Sequence, residues 1–139
     1  MKSEEILFMK NYDLYCHEPF YTLKDLLVFC ADKYDGKTVF LYKKKNQIIK
    51  TNFNDFFTEV KGLGSYFFYN GYKNCHIAVY GENSYEWILT HFAVTCGRNV
   101  IVPIDKDIGA ETIIELLKNS DCKVLVYSKL YADVVCIIK

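Results

Sequence analysis

Arginine is nearly absent from this sequence. Arg98 is the only one in 139 residues, and the formal net charge is zero. Proteins dedicated to nucleic acid usually carry a basic face, and clamps for phosphate commonly use arginine forks. The one basic run, Lys43–Lys45, is typical of a solvated turn. The composition therefore predicts no nucleic-acid partner.

Long apolar runs are also missing. No segment approaches the roughly 20 residues that a membrane span needs, and the N terminus shows no signal peptide. We therefore expect a cytoplasmic protein without a membrane span.

The cysteines lack the spacing of a metal or redox site, since no Cys-x-x-Cys pair occurs. We expect reduced, buried thiols, because cytoplasmic proteins seldom keep disulfides. Adjacent side chains of a strand point to opposite faces, so Cys16–His17 and Cys75–His76 are not expected to act as dyads. The six cysteines are Cys16, Cys30, Cys75, Cys96, Cys122 and Cys136.

What the chain does have is apolar and aromatic content, at 51% and 17% of its residues. These values predict a packed globular fold in a single domain. We assign residues 1–21 to a lead-in segment and residues 22–139 to an α/β unit. The last ten residues are apolar and helical in pattern without a glycine stop, so we expect the chain to be the N-terminal part of a larger domain.

The first half of the α/β unit predicts a helix, a hairpin and a second helix. Thr22 and Asp25 suit a capping box for a helix over 23–34. Alternating residues predict strands over 38–42 and 47–53. A long helix follows Asn52, and its Gly62 and Gly64 suggest close packing on a sheet. The face predicted to be buried contains Phe56, Val60, Leu63 and Phe67.

The second half predicts a βαβαβ unit. Its three strands are apolar without alternation, which is typical of a parallel sheet covered by helices on both faces. In the second helix, Ile113, Ile114, Leu116 and Leu117 are expected to face inward. The predicted ranges are strands over 76–80, 100–104 and 123–127, helices over 84–96 and 110–119, and a final helix over 130–139.

A phosphate-binding loop is not evident. The sequence has neither Gly-x-Gly-x-x-Gly nor a Walker-type Gly-Lys-Ser/Thr. Gly81–Asn83 lies between a strand and a helix, where such a loop would be, but it has one glycine, and Glu82 would repel phosphate.

Other polar residues have structural explanations. Asn83 would cap the helix, with Glu86 closing the cap from its third position. His91 would pack on the face that holds Trp87, and the carboxylates of Asp105 and Asp107 would be solvated. From the residues alone, we predict no catalytic, cofactor-binding or metal-ligating residue.

Six segments nevertheless form a recognisable series, in order and with consistent spacing: Thr22–Asp25 with Tyr34–Gly36, Ile49–Phe56, Gly71–Lys73 with Ile77–Val79, Val79–Trp87, Gly97–Asp105 and Asp121–Val126. Through them, residues 22–131 resemble the N-terminal part of AMP-forming acyl-CoA synthetases, members of the adenylate-forming superfamily. The Glu82–Trp87 segment, with Asp-Lys-Asp after Pro103, is more similar to fatty acyl-CoA synthetases than to peptide-synthetase domains.

This resemblance implies a parent enzyme that uses ATP, Mg²⁺ and coenzyme A to activate a fatty acid or another carboxylate and convert it to a thioester. The family's Pro-Lys-Gly loop, its acidic motifs and its C-terminal lysine are not found in residues 1–139, so no catalytic residue can be transferred. We therefore expect this chain alone to be inactive and to bind no cofactor. Its natural partner would be the remainder of the synthetase, and exposed apolar surface would favour self-association.

Two alternatives remain open at this stage. The chain could be a free-standing, non-catalytic α/β interaction module derived from that family. It could also be a small flavodoxin-like domain that binds ATP or flavin, although its single-glycine loop argues against this.

Overall fold

The computed structural model describes residues 19–138. The Cys16–His17 pair and most of the predicted lead-in lie outside the described residues. Along the chain the elements are α1 (Leu23–Lys33), β1 (Thr38–Lys44), β2 (Gln47–Asn52), α2 (Phe53–Tyr69), β3 (His76–Tyr80), α3 (Tyr85–Cys96), β4 (Val100–Ile104), α4 (Ala110–Asn119), β5 (Cys122–Tyr127), a 3₁₀ turn (Lys129–Tyr131) and α5 (Ala132–Ile138).

The predicted hairpin is present, with a tighter turn than expected. β1 and β2 pair antiparallel, and Lys44 is the partner of Gln47. The two residues between them, Lys45 and Asn46, have φ of 47° and 65°, as in the two-residue turns that match strand twist. The basic run therefore ends β1 as well as forming the turn. Phe53 starts α2 because the Asn52 side chain caps that helix.

The three remaining strands form a parallel sheet in the order β4-β3-β5. This arrangement, linked by α3 and α4, confirms the predicted βαβαβ unit. The expectation of burial on both faces is correct only for the central strand. From Ile77 to Tyr80, β3 is buried, whereas β4 and β5 are edge strands and Val100 is 53% exposed. Apolar sequence alone does not distinguish a central strand from an edge strand.

Each face of the sheet has its own core, because successive side chains of β3 point to opposite sides. Ile77 packs on the first face, against α1, α2 and α3. Ala78 and Tyr80 pack on the second face, against α4 and α5 through Ile113. Leu116 is 41% exposed, so its predicted inward position is wrong.

α2 is the longest helix of the described chain, with 17 residues. Nowhere in residues 19–138 does a helix combine the length and apolarity needed to cross a membrane.

The predicted packing of the α2 glycines on the sheet is wrong. A Cβ at Gly64 would lie 3.4 Å from the carbonyl oxygen of Ala93 in α3, and a Cβ at Gly62 would meet nothing within 4 Å.

Candidate functional site

The order of the strands creates a crevice at their carboxyl ends. From β3 the chain crosses to β4 on one side, and the next crossover brings it to β5 on the other side of β3. Open α/β sheets bind ligands where such connections diverge. A crevice therefore lies between the ends of β3 and β5, where a ligand site is expected; it is called the strand-end crevice below.

This strand-end crevice is narrow, with a volume of about 60 Å³. The Ser128 amide, just after β5, donates to the Tyr80 carbonyl at 2.9 Å. A Cβ added at Gly81 would lie only 2.9 Å from the Ser128 Cβ. Glycine is therefore required sterically where the chain leaves β3. The other polar side chains that line the crevice are Glu82, Ser84, Glu86, Trp87 and Thr90.

Glu82 is the most unusual group in the strand-end crevice. Its Oε2 atom is buried and has no hydrogen-bond partner within residues 19–138. A buried polar atom without a partner typically costs about 1–3 kcal/mol. The carboxylate therefore faces a space that suits a hydrogen-bond donor or a cation and disfavours an anion.

The start of α3 differs from the prediction. Ser84 is the N-cap, and its Oγ accepts from the Trp87 amide at 3.1 Å. Asn83 is exposed and precedes the cap, so both its predicted role and that of Glu86 are wrong. Asparagine and serine cap helices about equally well, and the local sequence does not rank two adjacent candidates.

Glu86 reaches across to the hairpin instead. Its Oε1 lies 3.0 Å from the Lys44 Nζ, and both side chains are 59% exposed. The hydrogen bond from Lys44 lowers the pKa of Glu86 below its usual value, although partial burial opposes this. Exposed pairs of this kind stabilise a fold only slightly.

His91 is packed, as predicted. Its ring stacks on Trp87 with centroids 5.5 Å apart and an interplanar angle of 26°. The Nδ1 atom is buried and has no partner among the described residues. Because His91 does not line the crevice, the structure does not bring it together with Glu82 as an acid–base pair.

Asp105 and Asp107 form a self-contained loop after β4. Lys106 contacts the Asp107 carboxylate at 2.6 Å, and the Asp107 amide donates to Asp105 Oδ1 at 2.9 Å. The hydroxyl of Tyr80 donates to the Lys106 carbonyl at 3.3 Å, and burial raises the pKa of this tyrosine. Both carboxylates are exposed, in agreement with the predicted solvated role.

The strand-end residues do not fit the triphosphate and metal that the resemblance implies. The Trp87 amide, in the first turn of α3, already donates to the Ser84 side chain. Glu82 and Glu86 add negative charge beside it. Across residues 19–138, no group of three or more His, Cys, Asp or Glu side chains could hold a metal ion.

Two polar side chains make long-range contacts that the sequence did not indicate. Asn99 is 7% exposed; it accepts from the Cys75 amide at 3.1 Å and donates to the Tyr72 carbonyl at 3.2 Å. The Tyr85 hydroxyl donates to Glu59 at 2.9 Å, and burial raises the pKa of Tyr85. These three hydrogen bonds join residues 24 to 27 positions apart, so no local motif indicated them.

The cysteines are reduced where the structure describes them, but they are less buried than predicted. Cys30, Cys75, Cys96 and Cys122 are partly exposed and Cys136 is exposed. In the Cys75–His76 pair, the thiol lies near Asn99, whereas the imidazole contacts the Ser120 carbonyl. The two side chains therefore do not form a dyad, as predicted.

Comparison with known families gives one direct match. The model of the family described as AMP-binding enzyme matches residues 29–137. This range includes the hairpin, the parallel sheet and all but the first six residues of α1. It also includes the strand-end crevice.

A curated relative and several solved structures are similar over most of the described chain. Long-chain-fatty-acid–CoA ligase 5 of Rattus norvegicus is 28% identical over 125 residues, which is 86% of this chain and 18% of the relative. A Rhodopseudomonas palustris protein assigned as a long-chain-fatty-acid CoA ligase superposes with a TM-score of 0.77 at 21% identity, over 85% of this chain and 29% of that one. The N-terminal subdomain of Klebsiella oxytoca NpsA gives 0.70 at 15% identity, over 79% and 28%. The chain thus spans less than a third of the length of each of these proteins, and the structural likeness establishes the fold.

Proposed function

Because its sequence matches the family model over residues 29–137, the chain belongs to the AMP-binding enzyme family, and from this premise we propose that it is the N-terminal part of an acyl-CoA synthetase. The parent enzyme would use ATP and Mg²⁺ to activate a carboxylate as its acyl-adenylate, and would then form the thioester with coenzyme A. The family match carries this proposal. The named relatives, a rat ligase and a bacterial protein assigned to the same activity, favour a long-chain fatty acid as the substrate.

The strand-end crevice supports a structural role for this chain in that parent. It offers neither a phosphate cradle nor metal ligands among the described residues. The groups that bind ATP and coenzyme A would therefore come from the remainder of the enzyme. We propose that residues 22–139 provide part of the sheet on which those groups are placed, and that they are inactive alone.

The sheet has two edges on which more structure could be added. Within residues 19–138, β4 and β5 each pair only with β3, and unpaired strand edges are sites for adding further strands. Val100, Leu130 and Ile137 are 53%, 79% and 70% exposed. We propose that the rest of the parent covers some of this apolar surface, and that the isolated chain self-associates through it.

Activity measurements test this proposal directly. The chain alone, incubated with ATP, Mg²⁺, palmitate and coenzyme A, should release no AMP above a blank without protein. The same assay on the polypeptide encoded by the complete gene should release AMP and form palmitoyl-CoA. AMP release by the 139-residue chain alone would contradict its role as an inactive part.

The competing function is a non-catalytic interaction module derived from the same family. The exposed apolar surface favours it equally, since a partner protein could cover the same side chains. It predicts that the complete gene product lacks adenylation activity with any carboxylate, which the same assay detects. We prefer the synthetase because the family model describes enzymes.

A further inference from the structure

A larger cavity lies away from the strand ends. The helix groove is an open trough of about 350 Å³ between α1, α2 and α3, within the range of ligand pockets. Its floor extends along α2 from Phe57 to Tyr69, a distance of about 18 Å at the rise of an α-helix. The lining residues are Lys24, Leu27, Phe57, Val60, Lys61, Gly64, Ser65, Phe68, Tyr69, Ala93, Cys96 and Gly97.

Small residues create this trough. Cβ atoms at Gly64 and Gly97 would lie 3.4 Å and 2.8 Å from the Ala93 carbonyl oxygen. The absence of a side chain at Gly64 lets the backbones of α2 and α3 approach each other, whereas the contact at Gly97 lies within the last turn of α3 itself. The rim is aromatic, since Phe68 and Tyr69 are 53% and 84% exposed. The groove is therefore long, apolar and open on one side.

The charged residues that line the helix groove are both lysines. Lys24 and Lys61 line it, and its described lining contains no carboxylate. Neither lysine has a carboxylate partner within 4 Å in residues 19–138. The Lys61 Nζ lies 4.5 Å from the centre of the Phe57 ring, and the Lys73 Nζ lies 3.9 Å from that of Phe68.

Nearby acidic side chains are engaged elsewhere. Asp25 closes the cap of α1 with Thr22, and Glu59 accepts the hydroxyl of Tyr85. The positive charge of Lys24 also acts on Cys96 at the end of α3, where it opposes the rise in the thiol pKa that burial causes. The groove thus offers unpaired ammonium groups beside a long apolar floor.

We propose that the helix groove binds a free long-chain carboxylate, whose hydrocarbon chain lies along α2 and whose head group pairs with Lys24 or Lys61. The length and apolar lining fit an extended chain better than a compact acid. The unpaired lysines favour an anion over a neutral lipid. This proposal rests on the proposed function for the choice of a carboxylate, and it adds an accessory site that takes no part in the reaction.

Binding to the intact 139-residue chain tests the proposal without ATP or turnover. A fluorescent C18 conjugated-polyene fatty acid should saturate one site per chain at low salt, and palmitate should displace it. Hexadecanol, with the same tail and no charge, should displace it about two- to fivefold less effectively. Failure of this binding leaves the proposed synthetase untouched, because the assay measures no catalysis.

Two variants localise the site. The double charge reversal Lys24→Glu with Lys61→Glu should weaken binding at least about tenfold, whereas Lys50→Glu with Lys118→Glu, at exposed positions outside the groove, should not. Ser65→Trp places a large side chain in the exposed part of the groove and should abolish binding, and Thr112→Trp on α4 is its matched control. Thermal melts confirm that each variant is folded.

Several outcomes would overturn the proposal. Equal displacement by hexadecanol and palmitate would show that the lysines do not select the head group. Saturable binding that survives Ser65→Trp would place the acid elsewhere. The absence of binding by the full chain would contradict a carboxylate site in the groove, and so would binding only to anionic phosphatidylserine vesicles, which would indicate a membrane surface instead.

Discussion

The strand-end crevice and the helix groove have opposite chemistry. The crevice is small, at about 60 Å³, and carries two carboxylates, Glu82 and Glu86. The groove has about 350 Å³ and carries two lysines on an apolar floor. The topology of the sheet predicts a ligand site at the crevice. The positive charges and apolar surface that suit an anionic ligand lie in the groove instead.

The position of a crevice in the fold therefore does not determine its chemistry. A strand-end crevice in a parallel sheet is a common location for a site, but function depends on the residues placed there. Here Ser84 occupies the helix amide, and Glu82 disfavours an anion. The crevice is therefore suited to receive hydrogen-bond donors rather than a phosphate.

Both regions depend on a glycine, and the groove should be the more sensitive one. In Gly97→Ala, the new Cβ would lie 2.8 Å from the carbonyl oxygen of Ala93 and 3.5 Å from that of Val94. These are backbone atoms of α3 and have little room to move. We expect a loss of about 1–3 kcal/mol in the free energy of unfolding, as for other overpacked sites, measured by urea denaturation.

Gly62→Ala is the matched control for that change. It makes the same substitution in α2, where the new Cβ meets nothing within 4 Å. Alanine stabilises a helix interior by about 0.5–1 kcal/mol relative to glycine, so this variant should gain stability. A similar loss in both variants would show that the contact with Ala93 is not the cause.

A substitution in the crevice should cause a smaller loss of stability. Gly81→Ala would place a Cβ 2.9 Å from that of Ser128 and should cost about 1–2 kcal/mol. The added Ser128→Gly change should recover part of this loss, because residues in contact give non-additive effects. Strictly additive losses in a double-mutant cycle, followed by urea denaturation, would contradict the steric explanation.

Much of the fold could be predicted because its signals are local. Short apolar runs without alternation placed β3 and β4, and a helical pattern placed α4, at their observed bounds. Whether a strand lies at the edge or the centre of a sheet depends on pairing between residues far apart in sequence. The exposure of Val100 on β4 was therefore missed. The predicted position of Leu116 failed for the same reason, since the core beneath α4 is narrower than its apolar stripe.

The candidate sites were less predictable than the fold. The crevice loop was recognised from Gly81–Asn83 and its lack of phosphate chemistry, but the cap was assigned one residue too early. The pairing of Glu86 with Lys44 joins positions 42 residues apart, which no local pattern reveals. The helix groove is formed by three helices at once, and its lysines look like ordinary surface residues in the sequence.

The smallest expected effect concerns the ion pair at the edge of the crevice. The bond from Lys44 lowers the pKa of Glu86 from its ordinary value of 4.5, so the pair stabilises the fold above that pH and stops doing so as the pH falls through the lowered value. The difference in thermal midpoint between the wild-type chain and Lys44→Ala should therefore be present at pH 7 and low salt, and it should shrink as the pH falls below 4.5. High salt should reduce it, because both side chains are 59% exposed and salt screens exposed charges. Lys50→Ala, at an exposed strand position without an ion pair in residues 19–138, should show no such pH dependence. A difference that does not shrink as the pH falls below 4.5 would mean that Lys44 stabilises the hairpin by packing rather than by its charge.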